Sequence, residues 1–252
     1  MSALHHESTG PDGARVLLLA GSLGTDLSMW DGQLPLASRW RVVRFDHRGH
    51  GRSPTAPGPY TIADLGRDVL ELMDALGLER ASFGGLSLGG MVGMWLAANA
   101  PERIDRLVLL CTAAWLPTAA AYADRAVAIR TAGSTAPIAD AVLNRWLTSP
   151  FATAHPDIRS RLRAMLVATE AEGYAACCEA IAAMDLRNQL ARIPAPTLVL
   201  SGADDPATPV ELQAAIAAAV PGARHEVIPS AAHLAAVEQP ERVNQLIGEH
   251  LR

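Results

Sequence analysis

The segment FGGLSLGGM, residues 83–91, holds a single serine, Ser87, between two pairs of glycines. The sequences around it, RASF before and MVGMWLAANA after, predict a short strand followed by a helix. Glycine permits a tight turn because it lacks the side chain that restricts other residues. A flexible linker, which is the alternative interpretation, would have polar flanks. The segment Gly85 to Gly89 therefore fits the G-x-S-x-G pattern, in which a serine hydroxyl projects from a sharp strand-to-helix turn.

The composition is that of an ordinary globular protein. A chain of 252 residues can form one α/β domain that carries an insertion. Its 50% apolar and 19% charged residues are typical of soluble proteins. The net charge of −5 gives no reason to expect nucleic acid or an anionic membrane as a partner. No apolar run reaches the roughly 18 residues that a membrane-spanning helix needs.

The cysteines and the N-terminus bear on the cellular location. Cys111, Cys177 and Cys178 are spaced neither like a disulfide framework nor like a zinc site. The first residues, MSALHHESTGPDGA, lack the basic and then apolar pattern of a secretory signal. We therefore expect a cytoplasmic enzyme that holds no metal.

Short apolar runs alternate with helical patterns along most of the chain. The runs that predict buried strands cover residues 16–21, 41–46, 103–111, 195–202 and 223–231. Residues 64–78 have helical spacing, and a last helix begins at about Pro240. This alternation predicts an α/β fold with a mostly parallel sheet and helices on both faces.

Residues 116–190 interrupt the alternation. This stretch is rich in alanine, contains no clear strand pattern and is divided by Pro137, Pro150 and Pro156. It is too long to be a loop, and open α/β sheets bind ligands at the carboxyl ends of their strands. We predict a core domain of residues 1–115 and 191–252, with residues 116–190 forming a helical cap, or lid, over those strand ends.

Ser87 needs a partner, because a serine hydroxyl is a weak nucleophile until a base oriented by a carboxylate activates it. Where the serine lies on this kind of turn, the carboxylate and then the histidine follow it along the chain. His233 satisfies this order, and it lies in a predicted loop between a strand and the last helix. The other histidines lie upstream of the serine, in the insertion, at the start of a strand, in the last helix or in an N-terminal tail that we expect to be disordered: His5, His6, His47, His50, His155, His225 and His250.

The carboxylate is expected after the strand that precedes His233. The sequence LVLSGADDPATP offers Asp204 and Asp205. The spacing from Gly202 and the proline that follows favour Asp205, with Asp204 as a solvated or capping carboxylate. Asp185 is a more distant alternative.

Backbone N–H groups must also stabilise the negative charge that forms on an attacked carbonyl oxygen. One donor is expected from Leu88, the residue after the serine. The other is expected from Ser22 or Leu23, in the loop AGSLGTDLSMW after the first long strand. An ordinary glycine-rich turn is the alternative interpretation of that loop.

Several segments together resemble a known family. The serine turn, GADDP (202–206) and HLAAVEQPERV (233–243) resemble the α/β-hydrolase superfamily. Four longer segments resemble the 3-oxoadipate enol-lactonases of bacterial aromatic degradation: GSLGTDLSMWDGQLPLASRWRVVRFDHRGHGRS (21–53), PYTIADLGRDVLELMDALGL (59–78), RTAGSTAPIADAVLNRWLTSPF (130–151) and EGYAACCEAIAAMDLR (172–187). The resemblance extends from about Ala14 to the last helix, and the two segments in the insertion are the most specific to the lactonases.

This resemblance implies an activity and its residues. The substrate would be 3-oxoadipate enol-lactone, and the product would be 3-oxoadipate, formed in the β-ketoadipate pathway. Ser87 would be the nucleophile, Asp205 the triad acid and His233 the base, acting through an acyl-enzyme without a cofactor. The only partner would be a small lactone or ester.

The substrate of such an enzyme carries a free carboxylate, and arginine is suited to bind it. Within the lactonase-like segments the candidates are Arg130, Arg145 and Arg187, with Trp146 as an apolar wall. For each arginine, a solvated helix face is the alternative.

Other activities could use the same triad, because specificity lies in the insertion and the loops. The alternatives are a carboxylesterase, an acyl-homoserine or other lactonase, and a cofactor-free perhydrolase. A ligand-binding protein that retains the fold with little turnover is an alternative of another class.

Overall fold

A seven-stranded sheet runs through the centre of the computed structural model, which describes residues 4–252. The strands, β1 to β7 in chain order, are His6–Thr9, Val16–Ala20, Arg41–Phe45, Ala81–Leu86, Ile104–Leu110, Thr197–Gly202 and Arg224–Ile228. Their order across the sheet is β1-β3-β2-β4-β5-β6-β7, and only β1 is antiparallel to its neighbour. The predicted mostly parallel sheet is confirmed.

Helices cover the sheet, and the regular structure between β5 and β6 is entirely helical. The α-helices, α1 to α10 in chain order, are Ile62–Ala75, Leu88–Asn99, Ala119–Ala132, Ala139–Trp146, Ser149–Ala154, Pro156–Ala168, Ala171–Ala182, Val210–Ala219, Ala235–Glu238 and Pro240–His250. Shorter 3₁₀ segments cover Leu27–Ser38, Pro101–Arg103, Ala136–Ile138 and Arg187–Arg192. Helices α3 to α7 therefore lie within the predicted insertion, and one apolar core connects them to the sheet through buried side chains such as Leu162, Leu166 and Tyr174.

The expectation of a disordered N-terminal tail is wrong. His6–Thr9 forms the edge strand β1 beside β3, and the His5 imidazole lies 2.9 Å from the buried carboxylate of Asp46. This strand is short and largely exposed. It therefore has no apolar pattern by which the sequence could mark it. Residues 1–3 lie outside the described part of the chain.

Close packing between β4 and α2 explains the glycines around Ser87. A side-chain carbon added at Gly85 would lie 2.2 Å from the backbone of Gly89, and one added at Gly89 would lie 2.2 Å from the carbonyl oxygen of Ala20. Backbone atoms cannot yield as a side chain can. The glycines therefore allow the start of α2 to lie directly against β2 and β4.

We expect Gly89→Ala to destabilise the protein by about 1–3 kcal/mol, because the new methyl group overpacks against backbone. Gly248→Ala is the matched control: it also lies in a helix, but its nearest neighbour would be Trp40 at an ordinary 3.7 Å. That substitution should stabilise the helix by roughly 0.5–1 kcal/mol. Urea unfolding of both variants measures the difference, and equal midpoints would contradict this account of the turn.

Candidate active site

Ser87 occupies the turn between β4 and α2 with an unusual backbone conformation, φ 55° and ψ −111°. Its N–H donates to the Leu110 carbonyl at 2.9 Å, and its own carbonyl accepts from the Thr112 hydroxyl at 2.7 Å. A non-glycine residue in such a region costs of order 1–3 kcal/mol and persists only where its surroundings hold it. The turn is held by Leu110, the last residue of β5, and by Thr112, two residues later. The Ser87 hydroxyl therefore lies at the carboxyl end of the sheet.

Asp205 and His233 meet in the loops that follow β6 and β7. Nδ1 of His233 lies 2.9 Å from Oδ2 of Asp205, and both residues are buried. A carboxylate can only accept, so Nδ1 carries the proton and Nε2 is left with a free lone pair. Asp204, the alternative acid, is exposed to solvent.

Asp205 is held as a carboxylate by several donors. Besides His233, it accepts the Thr208 hydroxyl at 2.7 Å and the N–H groups of Thr208 and Ala207 at 3.1 and 2.8 Å. Burial alone would raise the pKa of Asp205, but the attraction of a protonated His233 and the hydrogen bonds from His233 and Thr208 outweigh it and lower the pKa. The group is therefore ionised at neutral pH and can stabilise a protonated imidazole.

Ser87 and His233 line one small cavity of about 30 Å³, together with Ser22 and Leu23. No hydrogen bond joins the Ser87 hydroxyl to His233 within residues 4–252. Such contacts in hydrolytic sites often tighten only when substrate is bound. The structure thus brings the predicted nucleophile, base and oxyanion loop to one place.

The loop from Gly21 to Gly24 distinguishes the two candidate oxyanion donors. The N–H of Ser22 is directed at the sulfur of Met29, at 3.4 Å. The N–H groups of Leu23 and Leu88 have no partner within the described part of the chain. Leu23 and Leu88 are therefore the free donors on the two sides of Ser87.

The side of the cavity formed by residues 116–190 contains residues that the sequence indicated and others that it did not. Arg145 and Trp146, at the end of α4, line the cavity as expected. The further lining residues from the insertion are Tyr122, Arg125, Val142, Tyr174 and Ile181. Tyr122 and Arg125 lie three positions apart on α3, which places them on one helix face, but no motif marks that face.

Arg130 and Arg187 lie elsewhere, which corrects their proposed part in substrate binding. Arg130 is exposed and forms ion pairs with Glu179 and Glu172, whose hydrogen bonds raise its pKa. Arg187 is also exposed; it pairs with Asp185 and stacks over the ring of Trp115 at 4.5 Å. Neither lines the cavity.

Arg125 and Arg145, in contrast, form no ion pair within residues 4–252. Both are half-buried, and the guanidinium of Arg125 lies 4.7 Å from the ring centre of Tyr122. A guanidinium is always charged and is well suited to bind a carboxylate. Here two guanidinium groups face the same cavity as Ser87 without one, so this wall can receive an anionic group.

Sequence and structure comparisons place the chain in a family. The model of the alpha/beta hydrolase fold matches residues 15–240. The chain belongs to the α/β-hydrolase family. It is accordingly an enzyme of the hydrolase class.

Named relatives of this hydrolase extend over nearly its whole length. "3-oxoadipate enol-lactonase 2" of Acinetobacter baylyi is 41% identical over 97% of this chain and 91% of its own. The crystal structure of the enol-lactonase from Burkholderia xenovorans LB400 has a TM-score of 0.96 and 41% identity, over 98% of this chain and 96% of its own. A Caulobacter segnis protein provisionally named a carbamate hydrolase is 32% identical over 92% of this chain and 90% of its own.

Residues 4–252 contain no group of three or more His, Cys, Asp or Glu side chains placed to hold a metal ion. In the same residues, no helix is both long enough and apolar enough to cross a membrane.

Glu238 joins the loop that carries His233 to the end of α4. Its carboxylate is buried and accepts the N–H of Ala232 at 2.6 Å, and the N–H and hydroxyl of Thr148 at 2.8 and 2.7 Å. Beside it, the N–H of Leu234 donates to the Trp146 carbonyl at 2.9 Å. The loop that carries His233 and the end of α4 are thus held together.

A buried histidine behind the oxyanion loop makes stability depend on pH. His47 donates to the Gly21 carbonyl at 3.1 Å, and burial, with a smaller effect of His50, lowers the pKa of His47 from 6.5 to about 3. Between these values the unfolded chain binds a proton that the folded protein does not. The free energy of unfolding therefore falls as the pH falls from 6.5 towards 3.

We expect His47→Gln to make this pH dependence shallower by up to about 1.4 kcal/mol per pH unit, the full contribution of one proton. Urea unfolding of the two proteins at pH 7.5 and pH 5 measures the slope apart from any uniform loss of stability. Parallel pH profiles would show that His47 is not kept neutral by the fold.

Proposed function

We propose that this hydrolase opens 3-oxoadipate enol-lactone to 3-oxoadipate, in the β-ketoadipate pathway of the cytoplasm. The names of the relatives from Acinetobacter baylyi and Burkholderia xenovorans favour a lactone substrate. The observation that carries the proposal is that two arginines without an ion-pair partner, Arg125 and Arg145, line the same cavity as Ser87. A cytoplasmic location is consistent with three free and buried cysteines.

The chemistry that we propose proceeds through an acyl-enzyme. Ser87 Oγ attacks the lactone carbonyl while Nε2 of His233 takes its proton, and the charge on Asp205 stabilises the imidazolium. The N–H groups of Leu23 and Leu88 donate to the oxyanion, and each donor of this kind typically contributes roughly 10²–10³ in rate.

Ring opening then expels an enol oxygen, which receives the proton from His233. The enol becomes a ketone, and this tautomerisation draws the step forward. Water, deprotonated by His233, attacks the acyl carbonyl, and collapse of the second tetrahedral intermediate returns the proton to Ser87. None of these steps uses a cofactor.

Substrate selection falls to residues 116–190 in this proposal. We assign these residues as the cap, since α3 and α4 supply the arginines and Trp146 over the strand ends. A guanidinium binds a carboxylate with paired, charge-assisted hydrogen bonds. The free carboxylate of the substrate would lie against Arg125 and Arg145, with the lactone ring against Trp146.

The alternative substrates use the same triad. A carboxylesterase, another lactonase or a perhydrolase would need no carboxylate on the substrate, and hydrolysis of a carbamate is a further possibility that the Caulobacter segnis relative raises. The two arginines favour an anionic substrate over a neutral ester.

The first test compares freshly generated 3-oxoadipate enol-lactone with p-nitrophenyl acetate in steady-state assays. We expect kcat/KM on the lactone to exceed that on the ester by orders of magnitude, and both activities to be lost in Ser87→Ala. If the enzyme cleaves the ester but not the lactone, the proposed triad stands and the proposed substrate is wrong. Full activity of Ser87→Ala would reject the triad.

The second test removes each cap arginine. We expect Arg125→Met and Arg145→Met each to lower kcat/KM on the enol-lactone by roughly 10- to 100-fold, since a hydrogen bond to a charged group is worth about 1.5–3 kcal/mol. Methionine retains much of the apolar stem, so turnover of p-nitrophenyl acetate should change little. Arg130→Met and Arg187→Met are matched controls outside the cavity, and equal losses on both substrates in the cap variants would contradict carboxylate binding.

A further inference from the structure

Two buried histidines contact the two ends of the oxyanion loop. His47 lies 3.1 Å from the carbonyl oxygen of Gly21, and Nε2 of His50 lies 2.9 Å from the backbone nitrogen of Gly24. Their side chains are about as buried as the core, at 3% and 1% exposure. Between those two contacts lies Leu23, whose N–H is free.

The partners fix the tautomer of each ring. The Gly21 carbonyl only accepts, so Nε2 of His47 carries a proton and donates it. The Gly24 N–H only donates, so Nε2 of His50 accepts, while Nδ1 of His50 donates to the Arg48 carbonyl at 3.2 Å. The His50 ring therefore accepts a hydrogen bond at Nε2 and donates one at Nδ1, which an apolar side chain cannot do.

The Gly21 carbonyl also joins the loop to the nucleophile. It accepts the N–H of Gly89 at 3.0 Å, two residues after Ser87, as well as the proton of His47. The two sides of the oxyanion site, Leu23 and Leu88, are thereby held in one hydrogen-bonded frame. Movement of the loop would change the distance between them.

We propose that His47 and His50 are positioning residues that hold the Leu23 N–H in the oxyanion site. The inference rests on the proposed hydrolysis through Ser87 but not on the identity of the lactone. Neither imidazole lines the cavity, so neither acts on substrate directly.

The surroundings keep His50 in the neutral form that this role needs. Burial lowers the pKa of His50, and it outweighs the carboxylates of Asp46 and Asp26, which favour protonation. The ring of His47, with its centre 6.2 Å away, is itself neutral because burial lowers its pKa to about 3. A protonated His50 would direct an N–H at the Gly24 N–H and push the loop away.

The test compares His50→Leu and His50→Gln with wild type on p-nitrophenyl acetate. Leucine leaves the Gly24 N–H without an acceptor, and we expect kcat to fall by about 10- to 100-fold, with KM within about threefold of wild type. Glutamine offers an amide oxygen to the same N–H and should recover kcat to within about threefold of wild type. His250→Leu is the matched control, since His250 is also buried but contacts the Pro196 carbonyl at the amino end of β6, and it should retain wild-type kcat.

A second measurement separates loop position from general damage. Phenylboronic acid forms a tetrahedral adduct on the serine, with an oxygen in the oxyanion site. Its Ki should rise in His50→Leu in proportion to the loss of kcat, and should remain at the wild-type value in His250→Leu. If His50→Leu does not fold, the pair His47→Leu and His47→Gln decides by the same criteria.

The outcomes distinguish this inference from the proposed function. Unchanged kcat in a folded His50→Leu, with Ser87→Ala inactive, would overturn the positioning role and leave the triad intact. Equal losses in His50→Gln and His50→Leu would also overturn it, because the acceptor would then not matter. An active Ser87→Ala would instead reject the proposed hydrolysis through this serine.

Discussion

The backbone turn at Ser87 is the constraint on which the remainder of the site depends. A serine at φ 55° is an unfavourable backbone conformation. The fold maintains it by hydrogen bonds to Leu110, at the end of the neighbouring strand β5, and to Thr112 just after that strand. The same turn starts α2 against β2, which is possible only because Gly85 and Gly89 have no side chain. Part of the stability of the sheet and helix is thereby used to hold one hydroxyl in place. That hydroxyl faces the side of the sheet where the loops after β6 and β7 bring Asp205 and His233 together.

Sequence reasoning succeeded where a residue's place follows from local geometry and chain order. The G-x-S-x-G turn forces Ser87 to the end of a strand, and the parallel order of the strands brings the loops of Asp205 and His233 to the same edge. The choice of Asp205 over Asp204 agrees with burial, since the first is buried against His233 and the second is exposed. These positions depend on few degrees of freedom.

Which side chains of residues 116–190 face the cavity could not be derived in the same way. Arg125 and Arg130 lie on the same helix, α3, and the sequence alone does not show which of them faces the cavity. Tertiary packing decides: Arg130 meets the carboxylates of Glu172 and Glu179, while Arg125 lies beside Tyr122 and points into the site. Similarly, β1 is a short exposed edge strand whose pairing depends on β3 being present. Where a helix face or an edge strand is determined by distant partners, residue patterns cannot rank the candidates.

The contacts of Glu238 connect the cavity wall at the end of α4 with the loop that carries His233. Its carboxylate bridges Ala232, next to His233, and Thr148, two residues after Trp146. Movement of this wall would therefore disturb the loop that carries His233. The same small cavity, about 30 Å³, is lined on the side of α3 and α4 by Arg125, Arg145 and Trp146. Arg125 lies over the ring of Tyr122, so this part of the wall also has packing contacts of its own. In the proposed function, the arginines that would bind the substrate carboxylate therefore adjoin the wall that Glu238 holds to the loop of His233.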